Sequence, residues 1–262
     1  MSQFKRVKRN TLFFRVLVAR QLRQDYLENV TGLAWLILQP LALLAIYAFV
    51  FTTIFQPRIA SGEVSFVAFL AVAMWPWIAF SEGVIKGSGS VQQNAALITK
   101  VAFASEQLPI ATVTATFIAN GLGYLVVLAL LAATGTPIHW MLLPIALGVM
   151  ALLWCFAVAL ALFASALNVF IKDVAQILPP LMTFWFFMTP IIYSREYLPE
   201  SVSWILELNL MTWFVEELRA LFLFGRLEWP IHYWWVPLIL AVLFWLALRF
   251  FRRLAGHFED FV

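Results

Sequence analysis

The chain has 262 residues, of which 63% are hydrophobic and only 12% charged, with 17 Lys and Arg against 14 Asp and Glu for a formal net charge of +3. Such a composition excludes a soluble globular domain and leaves an all-α, polytopic membrane protein. The single cysteine, Cys155, excludes an intramolecular disulfide and any multi-cysteine metal site.

Residues 1–31 carry Lys5, Arg6, Lys8, Arg9, Arg15, Arg20 and Arg23 against Asp25 and Glu28. Phe14, Leu17, Val18 and Leu22 share one side of a helical projection, with Arg20 and Arg23 opposite. Two readings stand: a basic amphipathic helix on the cytoplasmic membrane surface, or charge that only sets topology. The first span is expected over 32–55, closed by Gln56-Pro57-Arg58, and the second over 64–85, with Glu82 inside its far end. A polar, small-residue stretch follows at 86–108, where Gly87-Ser88-Gly89-Ser90 leads into a short helix expected at Val91–Thr99. From Gln107 to Ile171 there is no charged residue; Thr134-Gly135-Thr136-Pro137 breaks this run into spans over 109–133 and 140–167. A tight turn at 168–173 leads to the fifth span, 174–194, which ends in Met188-Thr189-Pro190-Ile191-Ile192-Tyr193. The sixth, 231–248, runs into Arg249, Arg252 and Arg253.

Between the last two spans lies the segment that organises the rest. Trp204-Ile205-Leu206, Trp213-Phe214-Val215 and Leu221-Phe222-Leu223-Phe224 are apolar, yet Glu207, Glu216, Glu217 and Arg219 interrupt them every few residues. No run here reaches the roughly 20 residues of a transmembrane helix. The pattern predicts short external re-entrant helices over 195–230, one capped by Thr212 and ended by Gly225. Charged residues at this spacing suggest a solvated face. Trp213, Phe214, Leu221 and Phe222 would then pack on the spans as a lid that closes a path, and deleting Phe214 and Leu221 would make it leak.

Six spans put both termini on one side, which holds thirteen of the Lys and Arg residues against four on the other. The positive-inside rule therefore places both termini in the cytoplasm. No phosphate-cradling Gly-rich loop is present, and His139, His232 and His257 lack metal-like spacing. Glu82 at membrane depth is a functional candidate; the reading preferred is a pair with Lys86, one turn on. Tyr47, Phe51 and Phe55 recur at i, i+4, i+8, and Phe184, Trp185 and Phe187 cluster in span five. These aromatics either line a sugar path or face lipid.

Several motifs, in order, resemble the membrane subunit of bacterial type-2 ABC exporters of surface polysaccharides (O-antigen, capsule, teichoic acid). They are Arg23-Gln24-Asp25-Tyr26 through Gly32-Leu33-Ala34-Trp35 and Gln39-Pro40, Trp75-Pro76-Trp77 with Phe80, and Asn94 through Lys100-Val101-Ala102-Phe103 to Leu108-Pro109. Further on come Ala166-Leu167-Asn168-Val169-Phe170, Lys172-Asp173-Val174, Thr189-Pro190-Ile191-Ile192-Tyr193, Leu208-Asn209 and Glu217-x-Arg219. Ala104 and Leu210 stand where that family usually has proline, and Lys172 where it has arginine. The resemblance implies one transmembrane domain over the whole chain, in the bacterial inner membrane, acting as a homodimer with two separate ATPase subunits that hold ATP and Mg2+. It implies a lipid-linked polysaccharide substrate and no nucleic-acid partner. Spans one and five would line the channel, and the external helices would gate its exit. ATPase contacts would come from residues 10–28 and 86–104 and the 168–173 turn, represented by Arg20, Arg23, Asp25, Asn94, Lys100, Lys172 and Asp173. Other readings of the chain are a type-2 ABC permease for a small hydrophobic drug or lipid, and a membrane-embedded transferase acting on a lipid-linked sugar.

Overall fold

The computed structural model describes residues 2–27, 32–50, 53, 64–100, 103–195, 199–227, 235–258 and 261. Helix follows helix, with no strand among the described residues. α1 (Ser2–Leu22) ends in a π-helical turn, Arg23–Leu27, and is followed by α2 (Gly32–Phe49), α3 (Phe66–Gln93) and α4 (Ala95–Lys100). Next come α5 (Gln107–Ala133) and α6 (Leu143–Phe170, preceded by a 3-10 turn at Trp140–Leu142). α7 (Val174–Met188), α8 (Glu200–Leu208), α9 (Leu210–Leu223) and α10 (Trp235–Ala255) complete the chain. Four segments, Phe66–Gln93, Gln107–Ala133, Trp140–Phe170 and Trp235–Ala255, are long and apolar enough to cross a membrane. α2, 18 residues without a charge, and α7, with 15, are shorter.

Helix α3 is the axis of the bundle. It packs chiefly on α5 and α6, and meets α9, α7 and α2 around its circumference, while α10 lies against α6 and α1 across α5. Because α3 begins beside α9 and finishes near α1, the bundle has an α9 end and an α1 end. At 28 residues α3 is about 42 Å long, well beyond the roughly 30 Å hydrocarbon core. It therefore continues past Ile85, where the apolar pattern predicts its end, and carries Gly87-Ser88-Gly89-Ser90 as helix rather than as a loop. The short helix expected over Val91–Thr99 is divided accordingly. Val91 closes α3, Asn94 interrupts the chain with its side-chain amide on the Ser90 carbonyl (2.8 Å), and only Ala95–Lys100 forms α4.

Small residues explain the extension. A Cβ on Gly87 would stand 2.6 Å from Ala161 Cβ and 3.1 Å from Val113 Cγ2, so α3 and α6 approach as closely as they do only because position 87 has none. Ala161 Cβ cannot rotate away. Gly87→Ala is therefore expected to wedge α3 from α6 at a cost of about 1–3 kcal/mol, the usual range for overpacking. Thermal unfolding in detergent measures this, and Ala161→Gly in the same chain should recover part of the loss. A second local rule concerns Pro76, which cannot donate to the carbonyl four residues back. That carbonyl, Val72 O, instead accepts the buried Tyr124 hydroxyl at 2.9 Å.

Other boundaries move for identifiable reasons. The fifth span does not run to Ser194: Pro190 pushes Thr189 into extended backbone (φ −101, ψ 138), and α7 stops at Met188. The fourth continues to Phe170, and the last to Ala255, so Arg249, Arg252 and Arg253 are helical. The expected end of span one, near Phe55, lies outside the described residues, as do 231–234 at the start of span six.

Candidate functional site

Two polar constructions stand at opposite ends of this apolar bundle. At the α9 end, Thr189-Pro190 breaks the helix, which strips the carbonyls that follow of helical partners. Buried non-helical backbone must find its hydrogen bonds inside the protein. Arg219 supplies them: its Nη1 donates to Pro190 O and its Nη2 to Ile191 O, both at 2.6 Å, while Nε donates to Phe69 O at 3.0 Å. The guanidinium also lies over the Phe69 ring, 3.4 Å from its centroid. One side chain thus fastens α9 to the first turn of α3 and to the broken end of α7.

This corrects the expectation of a solvated charged face. Arg219 is 4% exposed and Glu217 2%, and Trp213, Phe214, Leu221 and Phe222 are all buried; Glu216 is half-buried. Phe214 stacks on Phe156 of α6 (6.4 Å, 14°), and Phe222 meets Tyr124 of α5 edge-on at 5.7 Å. Helix α9 is a wedge inside the bundle, not an amphipathic lid resting on it. α8 is the more exposed of the two, with Trp204 and Leu208 exposed and Glu207 paired with Arg195 at 3.0 Å.

The cap of α9 is Asn209, not Thr212. Its Oδ1 accepts from Met211 N (3.1 Å) and from Trp185 Nε1 (2.8 Å), and its Nδ2 donates to Thr189 Oγ1 (2.9 Å) and Met188 O (3.2 Å). Both donors and both acceptor positions of the amide are used. Asn209 was legible as a cap, since Asn immediately before an apolar helix is a start signal; its partners Trp185 and Met188 on α7, and Thr189 just past it, were not. Gly225 ends the helix as expected, at φ +62, where a Cβ would strike the His139 ring at 2.7 Å.

The aromatic candidates separate. Trp185 turns inward among Trp77, Phe80 and Phe156, with centroids 5.5–6.2 Å away. Phe184 and Phe187 point outward, at 62% and 55% exposed, in a stripe with Ile177 and Leu181. Tyr47 of α2 is half-buried and stacks on Phe186 of α7 at 6.0 Å. Phe51 and Phe55 lie outside the described residues.

At the α1 end, the apolar side of α1 read from the sequence is packed on protein. Leu17 and Val18 are buried against Leu108, Ala111 and Ala115 of α5, flanked by Phe14, Leu22, Ile98 and Phe103. Arg20 and Arg23 are exposed, as are Lys100 and, in the turn before α7, Lys172 and Asp173. Asp25 has partners within the chain. It accepts from Gln21 Nε2 (2.9 Å) and from Lys86 Nζ (3.0 Å), and Lys86 also contacts Glu82 at 2.7 Å. Glu82 thus has the partner its spacing indicated, and a second in Asn120 Nδ2 at 2.8 Å. Near the same end, Gln92 Nε2 donates to Asn168 O at 2.6 Å, tying α3 to the last turn of α6. Arg252 of α10 pairs with Glu106 at 2.9 Å.

Membrane-length helices around a buried axis, with broken backbone buried at one end, define a multi-pass membrane protein with a built interior, the class to which transport subunits belong. The match to the ABC-2 type transporter family covers residues 13–223, and the chain belongs to that family. It is accordingly a transport subunit rather than an enzyme, and membership implies an ATPase partner. Among curated proteins it is similar to an O-antigen export system permease protein of Myxococcus xanthus, 28% identical over 93% of each chain. Two proteins of the same description from Klebsiella pneumoniae are 26% identical over 94% of this chain and 93% of theirs, and 28% identical over 82% and 81%.

Proposed function

We propose that the chain is the channel-forming membrane subunit of an exporter that carries a lipid-linked surface polysaccharide, O-antigen, from the cytoplasm across the bacterial inner membrane. ATP and Mg2+ are held by two copies of a separate ATPase, beneath a homodimer of this chain. The observation that carries the reading is the likeness, over 82–94% of the chain, to three relatives described as O-antigen export permeases. It favours O-antigen over capsule or teichoic acid, and a polymer over a small hydrophobic drug.

With α2 and α7 added to the four long helices, the chain has six spans. The thirteen-to-four division of basic residues supports an α1 end in the cytoplasm and an α9 end outside. Arg20, Arg23, Lys100, Lys172 and Asp173 then form the surface offered to the ATPase. In the dimer α2 and α7 line the channel, and the exposed rings of Phe184 and Phe187 give sugar C–H faces something to pack on.

Deleting the gene for this chain is expected to strip O-antigen from the cell surface while lipid-linked polymer accumulates on the cytoplasmic side. A plasmid copy should restore it only when the ATPase is present. Surface O-antigen at parental levels, with changed sensitivity to hydrophobic compounds, would support the small-molecule permease instead.

A further inference from the structure

The Asp25–Lys86–Glu82 chain of ion pairs is the one place where the surface helix, the axial helix and α5 are joined by charged side chains among the described residues. Its members come from distant parts of the sequence. Gln21 and Asp25 stand on the last turn of α1 and in the π-helical turn, Glu82 and Lys86 on α3, and Asn120 on α5. Asn120 is 1% exposed and also donates to Thr116 O at 3.1 Å, so the inner end of the chain is held by buried structure. The outer end is held by a π-turn, a helix irregularity that recurs where a helix is asked to change direction. Lys86 therefore joins the π-helical end of the α1 segment to two spans packed on one another.

We propose that Lys86 is a positioning residue for transport: through Asp25 it fixes α1 to α3, and through Glu82 and Asn120 to α5, so that a displacement of α1 becomes a displacement of both spans. The inference rests on the exporter reading above, in which an ATPase moves the α1 end. Apolar packing of Leu17 and Val18 on α5 holds α1 in place but resists sliding weakly, since it is not directional. The ion pairs supply the direction. Lys86 is also the cation that allows two carboxylates, with side chains 16% and 32% exposed, to share the site.

The test uses the complex with its ATPase, reconstituted in lipid vesicles, and measures polymer exported per ATP hydrolysed. Lys86→Glu places three carboxylates together and should part α1 from α3. The expected result is a subunit that still purifies with the ATPase and hydrolyses ATP, but exports at least about ten-fold less polymer per ATP. Inverting every sign, with Asp25→Lys, Glu82→Lys and Lys86→Glu in one chain, recreates the pairs, because the Asn120 and Gln21 amides can accept as well as donate. This triple variant should regain at least about half of the parental ratio; a lysine needed for its own identity would not be rescued this way, and a purely structural role would show in the single variant as lost assembly with the ATPase. A single Lys86→Glu variant with the parental ratio would overturn the proposal, as would a well-assembled triple variant that stays uncoupled. Parental complex that hydrolyses ATP without moving polymer would instead refute the exporter reading, and with it the proposal's premise.

Discussion

Arg219→Ala is expected to remove most of the protein's stability margin. The substitution leaves the carbonyls of Pro190 and Ile191 without their donor, each orphaned buried group costing about 1–3 kcal/mol, while Phe69 O, inside α3, loses a second bond beyond its helical one. Loss of the guanidinium from the Phe69 ring adds up to about 2 kcal/mol for a desolvated contact. Together these rival a substantial part of the roughly 5–15 kcal/mol that holds a typical protein folded. Thermal unfolding in detergent should fall by about 10 °C or more, at about 2–4 °C per kcal/mol for a chain of this size. Arg219→Lys should land between the two, because an ammonium keeps the charge but cannot present the planar fork that reaches adjacent carbonyls at once. An Arg219→Ala midpoint within about 2 °C of the parent, less than a 1 kcal/mol change would give, would mean that water reaches residues 189–191 and that the α9 end is open.

Much of the bundle was legible because apolar runs and their interruptions fix where spans lie. Thr134-Gly135-Thr136-Pro137 divides α5 from α6 as read, and the spacing of Glu82 and Lys86 gave their pair. Errors arose wherever tertiary contacts overrule local composition. Gly87-Ser88-Gly89-Ser90 has loop composition, but Ala161 of α6 presses on the bare position 87 and keeps it helical. Arg219 and Glu217 have the spacing of a wet face, yet the acceptors that let Arg219 be buried belong to residues about 30 and 150 positions away. No window on the sequence contains both the donor and those carbonyls. The ion-pair partner of Asp25, Lys86, likewise lies 61 residues on, outside any local window. Phe184 and Trp185 are neighbours in a shared aromatic cluster by sequence, and only the α7 backbone decides that one ring points out and the other in.

The same burial reverses what removing Phe214 and Leu221 should do. A lid resting on the spans would leak when its apolar contacts were cut, yet both side chains are wholly buried in the bundle core. Phe→Ala in a core costs about 3–5 kcal/mol and Leu→Ala about 2–5. The two lie on one helix and share surroundings, so the sum is not strictly additive. Even so, the double variant Phe214→Ala with Leu221→Ala loses about as much as a whole fold is worth. It is expected to be nearly absent from membranes and to cause no leak, while Leu221→Ala alone accumulates with a lowered unfolding midpoint. Membrane abundance and resting permeability to a small solute, measured on the same cells, decide the matter. A double variant present at parental levels and leaking would restore the lid. If the wedge is right, α9 cannot lift by itself, because Arg219 and Asn209 bind it to the end of α7 and Arg219 binds it to α3. Any opening at this end then has to carry α7, α9 and the start of α3 together.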